Sequence, residues 1–392
     1  MAGLGHEGGR LDRARYADAT HVRGNLTSLV STYSISEVAQ IRAAVVERAG
    51  EVPQVQDIEL SDVVHDEVLI RISTTGICHT DLAWQSGQLE SHFPVVLGHE
   101  TAGVVEAVGP QCTRFRKGDR VGVALTHHCG HCARCEEGHP ILCLEASEAR
   151  PRHHRDGVVL YQGFGTGGFA EKTVVRERSL VKIPDGMPLE IAALVGCAVS
   201  TGIGVIWNIA RVEPGTRVAV FGCGGIGASA IMASAVAGAE TIVAVDPSDQ
   251  RRELALGVGA TEACEPDLER LLSLAPDGFD YVIECAGREE AMEMALRATR
   301  PGGTTAVVGV LSPAAVFGVP GLDFVGKQKR LVGCLTGDVR PHLDWDRYFR
   351  LYLRGRLPLD ALITHRVSLD EIADGFERAE RAEGIRIMVN AP

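Results

Sequence analysis

The sequence predicts an α/β protein in which an antiparallel β domain is followed by a doubly wound parallel sheet. From Ile41, short apolar runs (IRAAVVERAG, VQDIEL, EVLIRISTTG) alternate with turn residues, which is typical of an antiparallel, partly closed β domain. From Thr216 the pattern changes to β-α-β, with TRVAVF, GCGGIG, ASAIMASAVAGA and TIVAVD in succession. The alternation continues through YVIECAG and GTTAVVGV to RLVGCL, which indicates about six parallel strands.

The composition disfavours several classes of protein. With 392 residues the chain is long enough for two domains. Lys and Arg number 39 against 51 Asp and Glu, a net charge of −12, so we expect neither a nucleic acid nor a membrane surface as partner. Two uncharged stretches, 191–210 and 218–239, reach the length of a membrane span, but their glycines favour buried α/β elements. Eleven cysteines without a secretory apolar segment favour metal or catalytic thiols and a cytoplasmic protein.

Residues 1–38 mix Gly, Arg, Asp and Ser without a periodic apolar face. This pattern predicts a disordered N-terminal extension, because too little apolar surface is available to offset the entropy of ordering. Glu7, Asp12 and Asp18 are atypical of a transit peptide, which is poor in acidic residues.

One short segment of the β domain carries Cys78, His99 and Glu100. A thiolate and an imidazole are ligands that zinc selects, and a catalytic zinc keeps three protein ligands and one open position. We therefore predict part of a catalytic zinc site here, with a further ligand elsewhere. Cys197 in LVGCAVSTGIG is the candidate, although a lone buried cysteine is more often a core residue.

A second cysteine cluster follows in CGHCARCEEGHPILC. Its members, at spacings of three, three and eight, are Cys129, Cys132, Cys135 and Cys143. Four thiols fill every position around a tetrahedral zinc, so the cluster predicts a closed, structural site. A nucleic-acid zinc ribbon is the main alternative, and Glu136 and Glu137 inside the loop disfavour it. We expect His131 and His139 to be solvated loop residues.

The run GCGGIG lies directly after a strand and before a helix, which is the context of a dinucleotide-binding loop. Its G-x-G-x-x-G glycines are Gly222, Gly224 and Gly227. They allow a tight turn and let a pyrophosphate approach the helix N-terminus. Asp246 follows Gly227 by 19 residues and favours NAD over NADP, because a carboxylate binds ribose hydroxyls and repels a 2′-phosphate; Arg251 and Arg252 nearby weaken that preference.

The other parts of the chain give weaker predictions. Residues 153–168 are predicted to form a loop. Two helices are expected near the C-terminus, over 345–354 and from Ser368, which forms a capping box with Glu371. Arg386 in the late strand GIRIMV suggests that the C-terminal segment folds back beside the cofactor.

Together these motifs resemble the zinc-dependent alcohol dehydrogenases of the medium-chain dehydrogenase/reductase superfamily, from about residue 40 to the C-terminus. The resemblance implies a GroES-like catalytic domain over 39–198 and 336–392, including the structural zinc lobe, and a Rossmann NAD-binding domain over 199–335. It also implies two zinc ions per subunit, NAD, a small alcohol or aldehyde as substrate, and a homodimer or homotetramer.

The resemblance further assigns roles to individual residues. Cys78, His99 and Cys197 match the catalytic zinc ligands of the family. Glu100 matches the nearby carboxylate, which we expect to belong to the same zinc site. Asp81 matches the group that orients the ligand imidazole, and Thr80 matches the hydroxyl that receives the alcohol proton. The positions expected to contact the coenzyme are His79, Thr201, Gly222, Gly224, Gly225, Ile226, Gly227, Asp246, Arg251 and Arg386.

One position departs from the family pattern. Ala83 stands where many relatives have the histidine that ends the proton relay. The run CHTDLAW resembles the aryl-alcohol and thiol-dependent formaldehyde dehydrogenase branches, and LYLRGRLPLDALI resembles the latter. With Trp84 and Leu125 as predicted pocket residues, we expect NAD-linked oxidation of a primary or aromatic alcohol. The alternatives are a thiol-dependent formaldehyde dehydrogenase, a zinc-free quinone or enone reductase, and a non-catalytic relative.

Overall fold

The computed structural model of the protein describes residues 39–125, 128–146, 150–312 and 314–392, and the predicted N-terminal extension at residues 1–38 lies outside them. The strands are β1 Ala39–Val46, β2 Gln54–Leu60, β3 Glu67–Ile77, β4 Val95–Val96, β5 Glu100–Val108, β6 Arg120–Val123, β7 His153–Arg155, β8 Val158–Gln162, β9 Lys172–Arg176, β10 Leu180–Lys182, β11 Arg217–Phe221, β12 Thr241–Val245, β13 Glu262–Cys264, β14 Phe279–Glu284, β15 Thr299–Val307, β16 Arg330–Gly333, β17 Ile363–Ser368 and β18 Arg386–Asn390. The helices are α1 His79–Gln85, α2 Ala133–Glu136, α3 Leu189–Ala210, α4 Gly225–Ala237, α5 Asp249–Gly257, α6 Leu268–Leu274, α7 Glu289–Ala298, α8 Gly321–Gly326, α9 Pro341–Leu353 and α10 Ile372–Glu380.

The β domain combines a small barrel with a larger sheet. Strands β1, β2, β7, β8 and β4 close the barrel, and the sheet has the order β10-β6-β5-β3-β18-β17 with β9 also paired to β3. The C-terminal strand β18 runs antiparallel to β3 and places Ile387 opposite Ile77. Residues from the end of the chain therefore lie directly beside the segment that carries Cys78.

The prediction of a loop over 153–168 is wrong, because β7 and β8 form an antiparallel hairpin of the barrel. The turn between them contains Asp156 and Gly157, with φ angles of +51° and +77°. Asp-Gly is a hairpin signal, since both residues tolerate the positive φ that a tight hairpin turn requires. That signal was available in the sequence.

The second sheet has six strands, all parallel, in the order β13-β12-β11-β14-β15-β16. This is the doubly wound arrangement that the β-α-β pattern predicts. The order reverses between β11 and β14, and ligands of such sheets bind in the crevice at the carboxyl ends of the strands around that point. The loop GCGGIG follows β11 and therefore opens onto this crevice.

Helix α3 connects the two parts of the molecule. It is long and apolar enough to cross a membrane, with a mean hydropathy of 2.0, but 89% of its most apolar window is buried inside the protein. Two stretches of α3, Val195–Val199 and Val205–Ala210, are π-helical. Such insertions often mark functional sites, and Cys197 lies in the first of them.

Glycines let α3 approach its neighbours closely. A Cβ on Gly202 would lie 2.3 Å from the carbonyl oxygen of Ile226 in α4, and a Cβ on Gly204 would lie 2.2 Å from that of Gly337. The helix is thus packed between the dinucleotide loop and the 3₁₀ turn Thr336–Asp338. Any displacement of α3 would be transmitted to both.

Candidate active site

The three predicted metal ligands come from three separate elements. Cys78 follows β3 and precedes α1, His99 precedes β5, and Cys197 lies in α3. The two sulfur atoms and a ring nitrogen of His99 all lie within 4.8 Å of one another. All three side chains are buried. The structure therefore brings together residue types that bind zinc, away from bulk water.

Asp81 organises this cluster from the first turn of α1. Its carboxylate is completely buried. One oxygen, Oδ1, accepts hydrogen bonds from the Gly98 amide at 3.0 Å and from His99 Nδ1 at 3.1 Å. The other, Oδ2, accepts from the Cys78 amide at 3.0 Å. One carboxylate therefore fixes the backbone of one cysteine and the ring of the histidine.

The donor set fits zinc. Because Nδ1 of His99 is bonded to Asp81, Nε2 remains, and it is buried without a hydrogen-bond partner within the described residues. A hydrogen bond from the Cys197 thiol and the neighbouring His99 lower the pKa of Cys78 and favour its thiolate. A neutral imidazole nitrogen and a thiolate are the forms in which these side chains bind a metal.

A buried ion pair lies beside the cluster. Glu100 Oε2 is 3.3 Å from Arg386 Nε, and Glu100 Oε1 accepts a hydrogen bond from the Ala198 amide at 3.2 Å. Burial raises the pKa of Glu100 to about 7, against the opposing charge of Arg386. The same guanidinium touches the dinucleotide loop, since a Cβ on Gly225 would lie 2.8 Å from its Cζ. Arg386 thus joins the metal cluster to the loop.

The predicted relay residues lie on α1. Thr80 Oγ1 is 3.8 Å from Cys78 Sγ, at the edge of the cluster. His79 is exposed at the start of the same helix and lines a small cavity with Cys78 and Arg386. Ala83 follows Thr80 by three residues, so the two share one side of the helix. A methyl group cannot carry a proton, so Ala83 cannot extend a relay beyond Thr80.

An aromatic wall, defined by Trp84 and Phe164, stands next to the cluster. The two ring centroids are 4.3 Å apart, and Phe164 also meets the ring of His99 edge-on at 4.9 Å. Trp84 was predicted to line the pocket, together with Leu125, which is half-buried after β6. Phe164 was missed.

Phe164 has an unusual backbone conformation, with φ +49° and ψ +34°. A bulky residue in the left-handed region is strained, and such strain is found at functional sites. The run GFGTGG, an aromatic residue among glycines, was the available sequence signal. It was hidden in the stretch interpreted as a loop.

The dinucleotide loop has the geometry that its glycines require. Gly222 has φ +84°, and a Cβ there would lie 2.8 Å from the Ala286 amide nitrogen. A Cβ on Gly227 would lie 1.8 Å from the Gly222 carbonyl oxygen. Around Gly224, by contrast, there is open space, so a pyrophosphate has access to the N-terminus of α4. The Ile226 carbonyl oxygen approaches Gly202, the residue after Thr201, where α3 crosses the start of α4.

Asp246 lies at the carboxyl end of β12 and is 1% exposed. Its carboxylate accepts hydrogen bonds from the amides of Cys223, at 2.8 Å, and Ser248, at 2.9 Å. Arg251 Nη1 is 4.0 Å from Asp246 Oδ2, whereas Arg252 donates to the Asp246 carbonyl oxygen. The carboxylate therefore fixes the backbone of the GCGGIG loop at Cys223.

The four-cysteine cluster is compact. The sulfur atoms of Cys129 and Cys135, Cys132 and Cys135, and Cys132 and Cys143 lie 3.9, 3.6 and 3.8 Å apart. A tetrahedral zinc with bonds of about 2.3 Å places its sulfur ligands about 3.8 Å apart, so the cluster fits. Amides of the loop also point at sulfur, among them Cys132 N at 3.2 Å from Cys129 Sγ, which favours thiolates.

The two loop histidines differ. The side chain of His131 is 67% exposed and 3.7 Å from Glu145, as expected of a solvated residue. His139 is also part-exposed, but its Nδ1 lies 2.7 Å from Asp338 Oδ2. His139 therefore remains a part-exposed loop residue, but it has a polar partner that is distant in sequence.

Comparison with known proteins identifies relatives along most of the chain. The alcohol dehydrogenase GroES-like domain family matches residues 64–185, and the zinc-binding dehydrogenase family matches residues 225–354. A geraniol dehydrogenase from Castellaniella defragrans is 35% identical over 361 residues, covering 88% of this chain and 96% of the relative. An S-(hydroxymethyl)glutathione dehydrogenase from Escherichia coli is 35% identical over 366 residues, covering 89% and 99%.

A solved structure confirms the fold. Benzyl alcohol dehydrogenase from Acinetobacter calcoaceticus superimposes with a TM-score of 0.86 at 28% identity, covering 90% of this chain and 100% of that chain. The predicted combination of a GroES-like domain with a Rossmann domain is therefore confirmed. The protein is an oxidoreductase that acts on the CH–OH group of small alcohols, or on the carbonyl group of the corresponding aldehydes, with zinc and NAD as cofactors. The chain belongs to the zinc-dependent alcohol dehydrogenases of the medium-chain dehydrogenase/reductase superfamily.

Proposed function

We propose that the enzyme interconverts aldehydes and primary alcohols whose CH₂OH carbon adjoins a π-system, such as benzylic and allylic alcohols. The observation that carries this proposal is the aromatic wall, in which Phe164 contacts both Trp84 and the ring of His99. A planar substrate group would pack on these rings while its hydroxyl faces the metal cluster. Benzyl alcohol and geraniol, named for two similar proteins, both have such a group.

The metal-binding roles follow from the donor sets. We assign Cys78, His99 and Cys197 to the catalytic zinc, and the four-cysteine cluster to a second, structural zinc. When bound, the catalytic zinc supplies Lewis acidity at the alcohol oxygen and NAD accepts the hydride. Asp81 keeps the His99 ring in the tautomer that leaves Nε2 free. Glu100 stays beside these ligands, held by Arg386.

The other residues bind, orient and move a proton. Thr80 Oγ1 accepts the alcohol proton, and because Ala83 cannot pass it on, the proton leaves to solvent or through the ribose hydroxyls. The N-terminus of α4, with Gly224 and Gly225, binds the pyrophosphate, and Asp246 binds the adenosine ribose. We place the remaining coenzyme contacts at His79, Thr201, Gly222, Ile226, Gly227, Arg251 and Arg386.

The same assignments imply a division of the chain. We infer a catalytic domain over 39–198 and 336–392 and a coenzyme domain over 199–335. The pairing of β18 with β3 supports the return of the C-terminal segment to the catalytic part, and the six parallel strands fall inside the coenzyme part.

A screen of NAD reduction by the purified enzyme tests the substrate class. We compare benzyl alcohol with cyclohexylmethanol and geraniol with its fully hydrogenated analogue, because each saturated alcohol has a similar size but no π-system. Aromatic packing contributes roughly 0.5–1.5 kcal/mol, so we expect a kcat/KM advantage of about 2- to 12-fold for the unsaturated alcohols. Phe164→Leu should remove most of this advantage. Tyr161→Leu, which changes an exposed aromatic residue of the barrel, should leave it intact.

Two results would reject the proposal: equal kcat/KM for the saturated and unsaturated alcohols, or an advantage that survives Phe164→Leu. A second candidate is oxidation of S-hydroxymethyl thiols, which the similarity to the Escherichia coli enzyme favours. Formaldehyde with glutathione therefore belongs in the same screen, and activity only with this mixture would establish the second candidate. Zinc analysis separates both from a zinc-free reductase.

We also propose a homo-oligomer. The segment 310–326 beside the parallel sheet exposes several large apolar side chains, including Val316 at 82%, Leu322 at 89% and Val325 at 74%. Clustered exposed apolar residues mark interaction surfaces. Light scattering after gel filtration should give a dimer or tetramer, and Leu322→Lys should lower the mass; a monomeric wild type would refute this.

A further inference from the structure

The four-cysteine lobe, residues 129–143, is tied to the turn Thr336–Asp338 by a direct side-chain bond. We propose that His139 is a positioning residue, which holds this turn against α3 and so shapes the binding crevice for the dinucleotide. The lobe would then serve coenzyme binding as well as stability. This inference rests on the coenzyme role of the parallel sheet.

The bond itself is short and polar. His139 Nδ1 lies 2.7 Å from Asp338 Oδ2, and because a carboxylate can only accept, the ring nitrogen donates. The Asp338 side chain is only 16% exposed, and its other oxygen, Oδ1, is buried without a hydrogen-bond partner within the described part of the chain. His139 is thus the side chain that compensates the desolvation of this carboxylate. Without this hydrogen bond, the Asp338 carboxylate would lower its free energy by turning toward water.

The turn has a backbone that needs external support. Thr336, Gly337 and Asp338 have consecutive positive φ angles of +44°, +72° and +47°. Two of these residues carry a side chain, and such conformations persist only where the surroundings impose them. Part of the support comes from Asn208, whose side chain donates to the carbonyl oxygens of Gly337 and Asp338 at 3.0 and 3.3 Å. His139 supports the turn from the four-cysteine lobe.

The position of the turn gives it a functional consequence. It follows β16, at the carboxyl end of the half of the sheet formed by β14, β15 and β16. In doubly wound sheets each half binds one mononucleotide unit. The GCGGIG loop after β11 belongs to the adenosine half, so the turn lies on the nicotinamide side.

The turn also touches α3, the helix that carries Cys197. A Cβ on Gly337 would lie 2.5 Å from the Ser200 carbonyl oxygen and 3.1 Å from that of Thr201. Thr201 in turn donates its hydroxyl to the Cys197 carbonyl oxygen at 2.8 Å. A contiguous series of contacts therefore runs from the cysteine lobe through His139 and the turn to the π-helical segment of α3.

The test measures NADH binding to full-length holoenzyme by fluorescence titration, together with kcat, KM for NAD, KM for the alcohol, zinc content and Tm. His139→Ala removes the donor. His139→Asn retains one, since its side-chain amide nitrogen replaces Nδ1. His131→Ala is the matched control, because His131 lies in the same loop but pairs with Glu145.

We expect His139→Ala to weaken NADH binding and to raise KM for NAD by about threefold to tenfold, the effect of losing one charge-assisted hydrogen bond at a distance from the ligand. KM for the alcohol should change less than twofold. His139→Asn should bind NADH within twofold of the wild type, and His131→Ala should be unchanged. Asp338→Gly, which removes the acceptor and tolerates the positive φ, should match His139→Ala, and the double variant should be no worse than either single one.

Two outcomes would overturn the inference. Either His139→Ala lowers Tm or zinc content while the affinity for NADH stays within twofold, or the effects of the two substitutions on NADH affinity are additive. If His139→Ala does not fold, the comparison of His139→Asn with Asp338→Gly decides in the same way, since only Asp338→Gly loses the bond. A wild-type enzyme that does not bind NADH would instead refute the coenzyme role itself.

Discussion

Replacing Asp81 by asparagine tests the core of the catalytic site. Asp81 is fully buried and accepts three hydrogen bonds, two at Oδ1 and one at Oδ2. An asparagine keeps one oxygen, which the two donors from Gly98 and His99 will take. Its NH₂ group then faces the Cys78 amide, which is itself a donor, so one bond is replaced by a repulsive contact.

The expected loss of zinc affinity follows from these contacts. Losing a hydrogen bond to a charged acceptor costs about 1.5–3 kcal/mol, which corresponds to about 10- to 150-fold in an equilibrium constant. Independently, loss of a carboxylate behind a ligand histidine typically costs 10- to 100-fold in metal affinity. The two estimates agree. We therefore expect Asp81→Asn to lose its catalytic zinc at a 10- to 100-fold lower chelator concentration, with activity lost in parallel.

The assay is a chelator titration with zinc content and activity measured at each step. The zinc of the four-cysteine lobe should be retained, so only half of the bound zinc should be released at the lower chelator concentration. Asp280→Asn is the matched control: Asp280 also accepts a backbone amide, that of Arg217 at 2.8 Å, but it lies on β14. It should lower stability without changing zinc release. A midpoint for Asp81→Asn within twofold of the wild type would refute the reasoning.

Three further predictions concern the other features. Cys132→Ser should lower Tm and remove one zinc per chain, because it opens a closed site; a normal melting curve would contradict that assignment. Asp246→Asn removes the charge and keeps one of the two acceptor oxygens that hold the loop amides. With Arg251 no longer opposed, the ratio of kcat/KM for NADP to that for NAD should rise about tenfold or more; an unchanged ratio would count against Asp246. Burial lowers the pKa of His153 from 6.5 to about 4. Between these pH values the ring is neutral in the folded protein and takes up a proton on unfolding. The contribution of His153 to the free energy of unfolding is therefore complete above pH 6.5 and should fall by roughly 3 kcal/mol toward pH 4. Denaturant unfolding of His153→Leu should lack this part of the pH dependence, and an identical pH profile would exclude His153 as its source.

The fold was largely predictable because its strongest patterns are local. The strands of the parallel sheet are continuous apolar runs separated by helices, and the run GCGGIG has a backbone requirement at Gly222 and Gly227 that only glycine satisfies. The four cysteines lie within 15 residues, so their spacing alone limits the geometry. The hairpin of β7 and β8 was missed because its strands are short, although Asp156 and Gly157 indicate its turn.

The site was predictable only in part, since its decisive contacts join distant parts of the chain. The spacing of Cys78 and His99 suggested a metal site, but no local pattern tied Cys197 to it, and the family resemblance had to supply that step. Asp81 likewise has no periodic signature. Its importance follows from complete burial with three donors, which is a property of the folded structure.

Phe164 and His139 show what decides a residue's role when sequence patterns do not. Each was placed in a loop, and each gains its role from a partner far away: His99 for Phe164, and Asp338, 199 residues along the chain, for His139. In both cases a backbone in the left-handed region lies at the contact, on Phe164 itself and on Asp338. Strain of this kind has to be offset by the interactions around it. In the proposed roles Phe164 serves the alcohol and Asp338 the coenzyme, so substitutions there should separate the affinities for alcohol and for NAD.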